Sequence, residues 1–202
     1  MLYDRDIRPY LYDFLDEMFP RVRTFDEKII GRSRSDVFAV IDGALVGIEI
    51  KSDADTYARL PSQVKNYDKF FDYNYIVVGK SHAKKVDAHV PSHWGIIALD
   101  DSDGVLLVMH RPAQINVKAK LSNQLRLLWR RELVSVLKRC GLPGYTSKSR
   151  AFSEKALLDR ATPDKIKAAM TEELFERDYT TLNDQKPRPT IKSLSKRARR
   201  KA

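Results

Sequence analysis

The stretch Ser35-Asp36-Val37-Phe38-Ala39-Val40-Ile41-Asp42-Gly43-Ala44-Leu45-Val46-Gly47-Ile48-Glu49-Ile50-Lys51 decides the fold. Two runs of β-branched and apolar residues flank Asp42-Gly43, a dipeptide suited to a two-residue type I′ hairpin turn. Pairing then steps outward symmetrically from the turn, so Asp36 faces Glu49. Side chains alternate along a strand with period two, which puts Lys51 on the same face as Glu49. Both faces of the hairpin are otherwise largely apolar, so it belongs inside a sheet covered by helices on both sides.

Working outward, Asp4 to Phe19 places Ile7, Leu11, Phe14, Leu15 and Met18 at helical spacing, with Asp4 able to cap the start and Pro20 closing the segment. Arg21 to Ile30 reads as a strand. After the hairpin, Thr56 to Phe71 reads as a helix with Leu60, Val64, Tyr67 and Phe71 along one stripe. A short buried strand, Tyr75 to Gly79, follows it. His82 to His89 suits a helical turn or two, and Gly95 to Leu99 with Val105 to Met109 suits a second hairpin. Beyond Pro112 the pattern becomes helical over Ser122 to Cys140, Ser153 to Arg160 and Pro163 to Arg177, where Pro163 fits a first helical position. No internal repeat is present. The expected organisation is an α/β core over 1–112, a basic helical region over 113–184, and a basic tail over 185–202.

The 202 residues carry a net charge of +10, distributed unevenly. Residues 1–112 hold 15 Lys and Arg against 18 Asp and Glu, a net of −3, whereas 113–202 hold 22 against 9, a net of +13. Such asymmetry points to a polyanion-binding region beside a less charged body, because Lys and Arg gain affinity for phosphates by releasing condensed counterions. The plain alternative is a solvated basic helical surface. A single cysteine, Cys140, excludes an internal disulfide and any multi-cysteine zinc site and suits a reducing compartment. No run reaches about 18 apolar residues, and Met1 to Asp6 lacks the basic-then-apolar order of a signal peptide, so no membrane is expected and the cytoplasm is the default. The chain has no Gly-x-x-x-x-Gly-Lys-Ser/Thr phosphate loop and no Gly-x-Ser-x-Gly elbow, which argues against ATP hydrolysis and an α/β-hydrolase. His82, His89, His93 and His110 show no metal-ligand spacing.

Two carboxylates directly opposite on one face of a hairpin repel each other, at a Cβ separation of about 4.5 to 5.5 Å. Folding alone does not call for them. A divalent cation between Asp36 and Glu49 relieves the repulsion, and Mg²⁺, a hard ion taking oxygen ligands, commonly bridges one or two carboxylates to a phosphate. It would polarise a phosphate and acidify a bound water, while Lys51 orients that water or neutralises charge developing on the phosphate oxygens. Phosphodiester hydrolysis follows from that grouping.

The pattern Asp36 then Glu49-Ile50-Lys51 resembles the PD-(D/E)XK nuclease superfamily, whose signature is an acid, a variable gap, then acid-x-Lys on a hairpin. The resemblance extends to the order αβββαβ and to Gln63-x-x-x-Tyr67, similar to the Gln-x-x-x-Tyr element of RecB-like nucleases; four residues apart on a helix, these two share a face. Glu49 to Thr56 with Arg59-Leu60 also looks like a small bacterial and phage branch of that superfamily. The match covers residues 4–100. It implies a restriction-endonuclease-like core with a mixed sheet, metal-holding Asp36 and Glu49, a catalytic Lys51, and Gln63 and Tyr67 lining the site. Ser35 stands where the motif's name puts proline. An upstream acid often supplies a further metal ligand, and Glu27 is the choice here, with adjacent Asp26 as its alternative.

These readings lead to a Mg²⁺-dependent nuclease, with Mn²⁺ as a substitute ion and DNA ahead of RNA as substrate. Arg34 and Arg59 are candidates for phosphate contacts, with an ion pair to Asp53 or Asp55 as the structural alternative. Lys196, Arg197, Arg199 and Arg200 are candidates in the tail. Two rivals stand beside the enzyme: a nucleic-acid-binding or regulatory protein that keeps the fold without turnover, and a protein-interaction module with a basic tail. Monomer and homodimer are both open.

Overall fold

The computed structural model describes residues 3–31, 33–100 and 105–178. The hairpin lies at its centre. Strands β2 (Ser33–Ile41) and β3 (Ala44–Lys51) pair antiparallel from Ile41–Ala44 to Val37–Ile48, in the register that a two-residue turn dictates. The bend itself is not type I′, which needs positive φ at both central residues. Only Gly43 takes it, at φ +70°; the loop length alone sets the register. β1 (Arg23–Ile30) pairs antiparallel outside β2.

A parallel neighbour requires a crossover, and the segment carrying α2 (Leu60–Tyr67) supplies it, bringing β4 (Tyr73–Val78) beside β3. β5 (Gly95–Asp100) lies parallel to β4, and β6 (Leu106–Arg111) returns antiparallel at the far edge. The result is a six-stranded mixed sheet in sequence order, entered by α1 (Asp4–Met18) in the expected αβββαβ succession. Between β4 and β5 the expected helical turns form α3 (Lys80–Ala83) and a 3₁₀ turn, Val86–Ala88.

Each face of the sheet has its own apolar cluster. On one side Ile7, Leu11 and Leu15 of α1 bury against Val37, Ala39, Val46, Ile48 and Ile50. On the other, Phe38, Val40, Leu45, Ile76 and Val78 meet α2 and the C-terminal helices. Those helices are α4 (Leu121–Gln124), α5 (Arg130–Arg139), α6 (Arg150–Arg160) and α7 (Pro163–Glu176). Leu133, Val136, Leu157, Met170 and Leu174 share one continuous cluster with the sheet. Polar ties reinforce the junction: buried Asp72 accepts from the Leu45 N–H at 2.9 Å, Gln124 at 2.9 Å and Lys167 at 2.5 Å.

Two helices differ from their sequence reading. α2 begins at Leu60 rather than Thr56, because Pro61 suits a first turn and Asp55 holds the preceding residues in a tight turn, accepting from the Ser52 N–H and hydroxyl at 2.9 and 2.6 Å. The expected helix over Ser122 to Cys140 is interrupted: a 3₁₀ turn at Leu125–Leu127 leads to extended backbone at Leu128 and Trp129. Glu132 there accepts the Trp129 N–H at 2.6 Å and grips the buried Arg177 guanidinium at 2.6 and 2.7 Å, which starts α5 afresh. Among the described residues no helix is long and apolar enough to cross a membrane.

The ring of Phe71, four residues past the end of α2, lies directly over Gly47 of β3. A Cβ there would fall 2.1 Å from the Phe71 ring. Gly47→Ala is therefore expected to destabilise the fold by about 1–3 kcal/mol through overpacking, read as a Tm lowered by about 2 to 12 °C. An unchanged Tm would contradict this packing.

Candidate active site

Beyond Val37–Ile48 the backbone ladder gives way to side chains. The Asp36 carboxylate accepts the Ile50 N–H at 2.9 Å, while the Asp36 N–H donates to the Tyr67 hydroxyl at 3.1 Å. Tyr67 in turn donates to Glu49 Oε2 at 2.8 Å. It reaches this position because α2 lays it, with 0% exposure, against the sheet.

Glu49 is the hub. Its carboxylate is 0% exposed and takes three donors: Lys51 Nζ at 2.7 Å and Gln63 Nε2, both on Oε1, and Tyr67 on Oε2. Lys51 Nζ also donates to Gln63 Oε1 at 3.2 Å. Thus the five residues Asp36, Glu49, Lys51, Gln63 and Tyr67, drawn from β2, β3 and α2, form one connected group on one face of the sheet. Burial pushes the Tyr67 phenol well above its ordinary pKa, so it stays a hydrogen-bond donor.

Asp36 is half-buried and forms part of the lining of a cleft of about 490 Å³, together with Ser33, Arg34, Ala58, Arg59, Ser62 and Gln63. Arg8 Nη1 donates to its backbone carbonyl at 2.9 Å, but among the described residues no basic side chain pairs with its carboxylate. Burial first, then the Glu49 charge and more weakly that of Asp4, raise its carboxyl from 3.8 to about 7, against the lowering effects of the Ile50 N–H and of the Lys51 charge. The two acids therefore feel each other's charge and share the Tyr67 hydroxyl, the Glu49 carboxylate taking three donors and the Asp36 carboxylate one. Two carboxylates are the hard oxygen donors that a Mg²⁺ or Mn²⁺ ion would take.

Glu27 does not join them. It stands opposite Asp36 in the β1–β2 register, but its φ of 51° interrupts the pairing, and its exposed side chain pairs with Arg34 at 3.1 Å. Asp26 pairs with Val37 on the α1 side of the sheet and accepts from Arg8 at 3.0 Å and from Tyr12, so it is no substitute. Among the described residues no three acidic, His or Cys side chains converge on a metal position. A residue that sequence reasoning missed is Asp4, whose charge reaches Asp36 and whose buried Oδ1 has no hydrogen-bond partner. It was legible only as a cap, a role filled instead by Asp6, which accepts the Tyr3 N–H at 3.0 Å. An acid at the start of an amphipathic helix that covers the hairpin was the available signal.

Arg34 and Arg59 both border the cleft, and neither pairs with Asp53 or Asp55, which are engaged by Ser81 and Ser52. The histidines stay apart from the site: His93 accompanies Asp68 at 3.0 Å, and His82 and His89 pack around Tyr57. Cys140 is buried against the C-terminal helices. Lys196, Arg197, Arg199 and Arg200 lie outside the described residues.

A six-stranded mixed sheet between helices, carrying Asp36, Glu49 and Lys51 on its central hairpin, defines an α/β protein. The chain belongs to the family described as Bacteriophage P4 protein cII, whose profile matches residues 3–195. Comparison by sequence with curated proteins finds no match. Among solved structures it is similar to SfsA of Pyrococcus furiosus in complex with Ca²⁺, with a TM-score of 0.33 and 14% identity over 58% of this chain and 63% of that one.

The raised Asp36 pKa has a stability consequence. An acid whose folded pKa lies above its unfolded value favours the folded state while protonated, and that advantage is lost as pH rises from about 4 through 7. Asp36→Asn is therefore expected to raise the Tm of metal-free protein at pH 8, by about 2 to 4 °C for each kcal/mol relieved, with the difference vanishing toward pH 4. A variant less stable than wild type at pH 8 would contradict the assigned environment.

Proposed function

We propose that this chain is a metal-dependent nuclease hydrolysing phosphodiester bonds, with DNA ahead of RNA as substrate. The observation that carries the reading is the convergence of Asp36, Glu49, Lys51, Gln63 and Tyr67 around one buried carboxylate beside a cleft bordered by two arginines. The αβββαβ order and the resemblance of Asp36 with Glu49-Ile50-Lys51 to the PD-(D/E)XK signature support it.

In this mechanism Asp36 and Glu49 would hold the ion. A Mg²⁺ or Mn²⁺ ion there would supply Lewis-acid polarisation of the phosphate and a more acidic water. Arg34 and Arg59 hold phosphate oxygens at the mouth of the cleft, where bidentate guanidinium contacts suit a planar pair of oxygens. Lys51 places an ammonium beside the reacting centre and orients the attacking water or offsets charge building on the phosphate. Gln63 and Tyr67 fix the Glu49 carboxylate so that its one remaining lone pair keeps one direction.

The saturation of Glu49 by three donors favours a second reading, a non-cleaving nucleic-acid-binding or regulatory protein. One experiment separates the two: pure full-length protein incubated with labelled single- and double-stranded DNA and RNA in Mg²⁺, Mn²⁺ or chelator. The expected result is cleavage with metal and none with chelator. Asp36→Ala and Lys51→Ala should each lower the rate by about 100-fold or more while circular dichroism shows the fold retained. Binding without cutting in both metals, or cutting that survives in both variants, would overturn the nuclease reading.

A further inference from the structure

Helix α2 carries its catalytic candidates on the inner side and an unusual outer side. Arg59, Ser62, Lys65 and Lys69 are exposed at helical spacing, and Asn66 lies half-buried among them. No exposed acid accompanies these cations on the segment; its one acid, Asp68, points inward to Trp94 and His93. Other exposed guanidinium groups find carboxylates, such as Arg21 with Glu172 and Arg139 with Glu173. Among the described residues Arg59, Lys65 and Lys69 have none. Lys65 and Lys69, four apart, repel each other.

This stripe is anchored at both ends. Asn66 Nδ2 donates to Ser33 Oγ at 2.5 Å, which ties it to the lining of the Asp36 cleft, and Arg59 itself borders that cleft. At the far end the Lys69 carbonyl accepts the Lys120 N–H and Asn123 Nδ2, both at 3.1 Å, bringing exposed and unpaired Lys120 alongside. The path from Arg59 to Lys69 spans about 15 Å at the helical rise per residue. At about 3.4 Å per nucleotide that is room for about four nucleotides.

We propose that this outer side of α2 is the track for the nucleic-acid strand as it leaves the cleft, with Lys65, Lys69 and Lys120 holding consecutive phosphates and the exposed Ser62 hydroxyl offering a hydrogen bond between them. A polyanion supplies the countercharge that the fold omits. The proposal rests on the nuclease reading only for what happens in the cleft; the track itself requires binding alone.

The test is therefore made without turnover. Binding of a fluorescein-labelled 20-nucleotide single-stranded DNA to the full chain is followed by anisotropy in chelator across a salt series. The triple variant Lys65→Gln, Lys69→Gln, Lys120→Gln is compared with a control of equal charge loss at exposed sites on other elements, Lys138→Gln, Lys148→Gln, Lys165→Gln. The track variant should lose about 10- to 100-fold in affinity at 0.1 M salt, and its log–log salt slope should flatten by about 2. The control should keep most of both. Wild-type binding by the track variant, or an equal loss in the control, would overturn the proposal, whereas absence of cleavage in the earlier experiment would leave it standing.

Discussion

The buried carboxylate of Glu49 is the constraint on which the rest of the molecule depends. An ionised acid removed from water costs several kcal/mol unless it is paired and hydrogen-bonded. Glu49 gains its partners from two elements: Lys51 on its own strand, and Gln63 with Tyr67 from α2. The helix must therefore lie across the C-terminal end of β3. Its seat is set by the absent side chain at Gly47, which admits Phe71, and by the chain path that makes β4 parallel to β3. Helix placement and site chemistry are one packing problem.

The same geometry separates the two acids by role. Glu49 is sealed behind three donors, whereas the Asp36 carboxylate stands at the cleft with a backbone N–H as its one hydrogen-bond donor among the described residues. Moving a cation between them would exchange the ammonium of Lys51 for an ion and free that ammonium toward the cleft. A site that closes on itself without substrate avoids the larger penalty of two uncompensated buried carboxylates.

Much of this was legible in the residues. A two-residue bend sets which positions face each other, and strand parity sets which share a face, so the grouping of Asp36, Glu49 and Lys51 follows from counting; the spacing of Gln63 and Tyr67 follows from the helical repeat. The layers were legible for the same reason, since Ile7, Leu11 and Leu15 mark one face of α1. What escaped depends on particular dihedrals or distant contacts. Glu27 leaves the site because of a positive φ that nothing local signals in a glutamate. Asp4 approaches Asp36 only once α1 is docked. The break at Leu128 and Trp129 reflects a Glu132–Arg177 pair spanning 45 positions, invisible to any local pattern.

The most direct measurement is a crystal structure of the chain soaked in Mn²⁺, with the ion located by its anomalous scattering. The account predicts a peak bound by one carboxylate oxygen from each of Asp36 and Glu49, with the Lys51 ammonium turned away from Glu49. A saturated soak that leaves this position without a peak and the Lys51–Glu49 contact intact would contradict it.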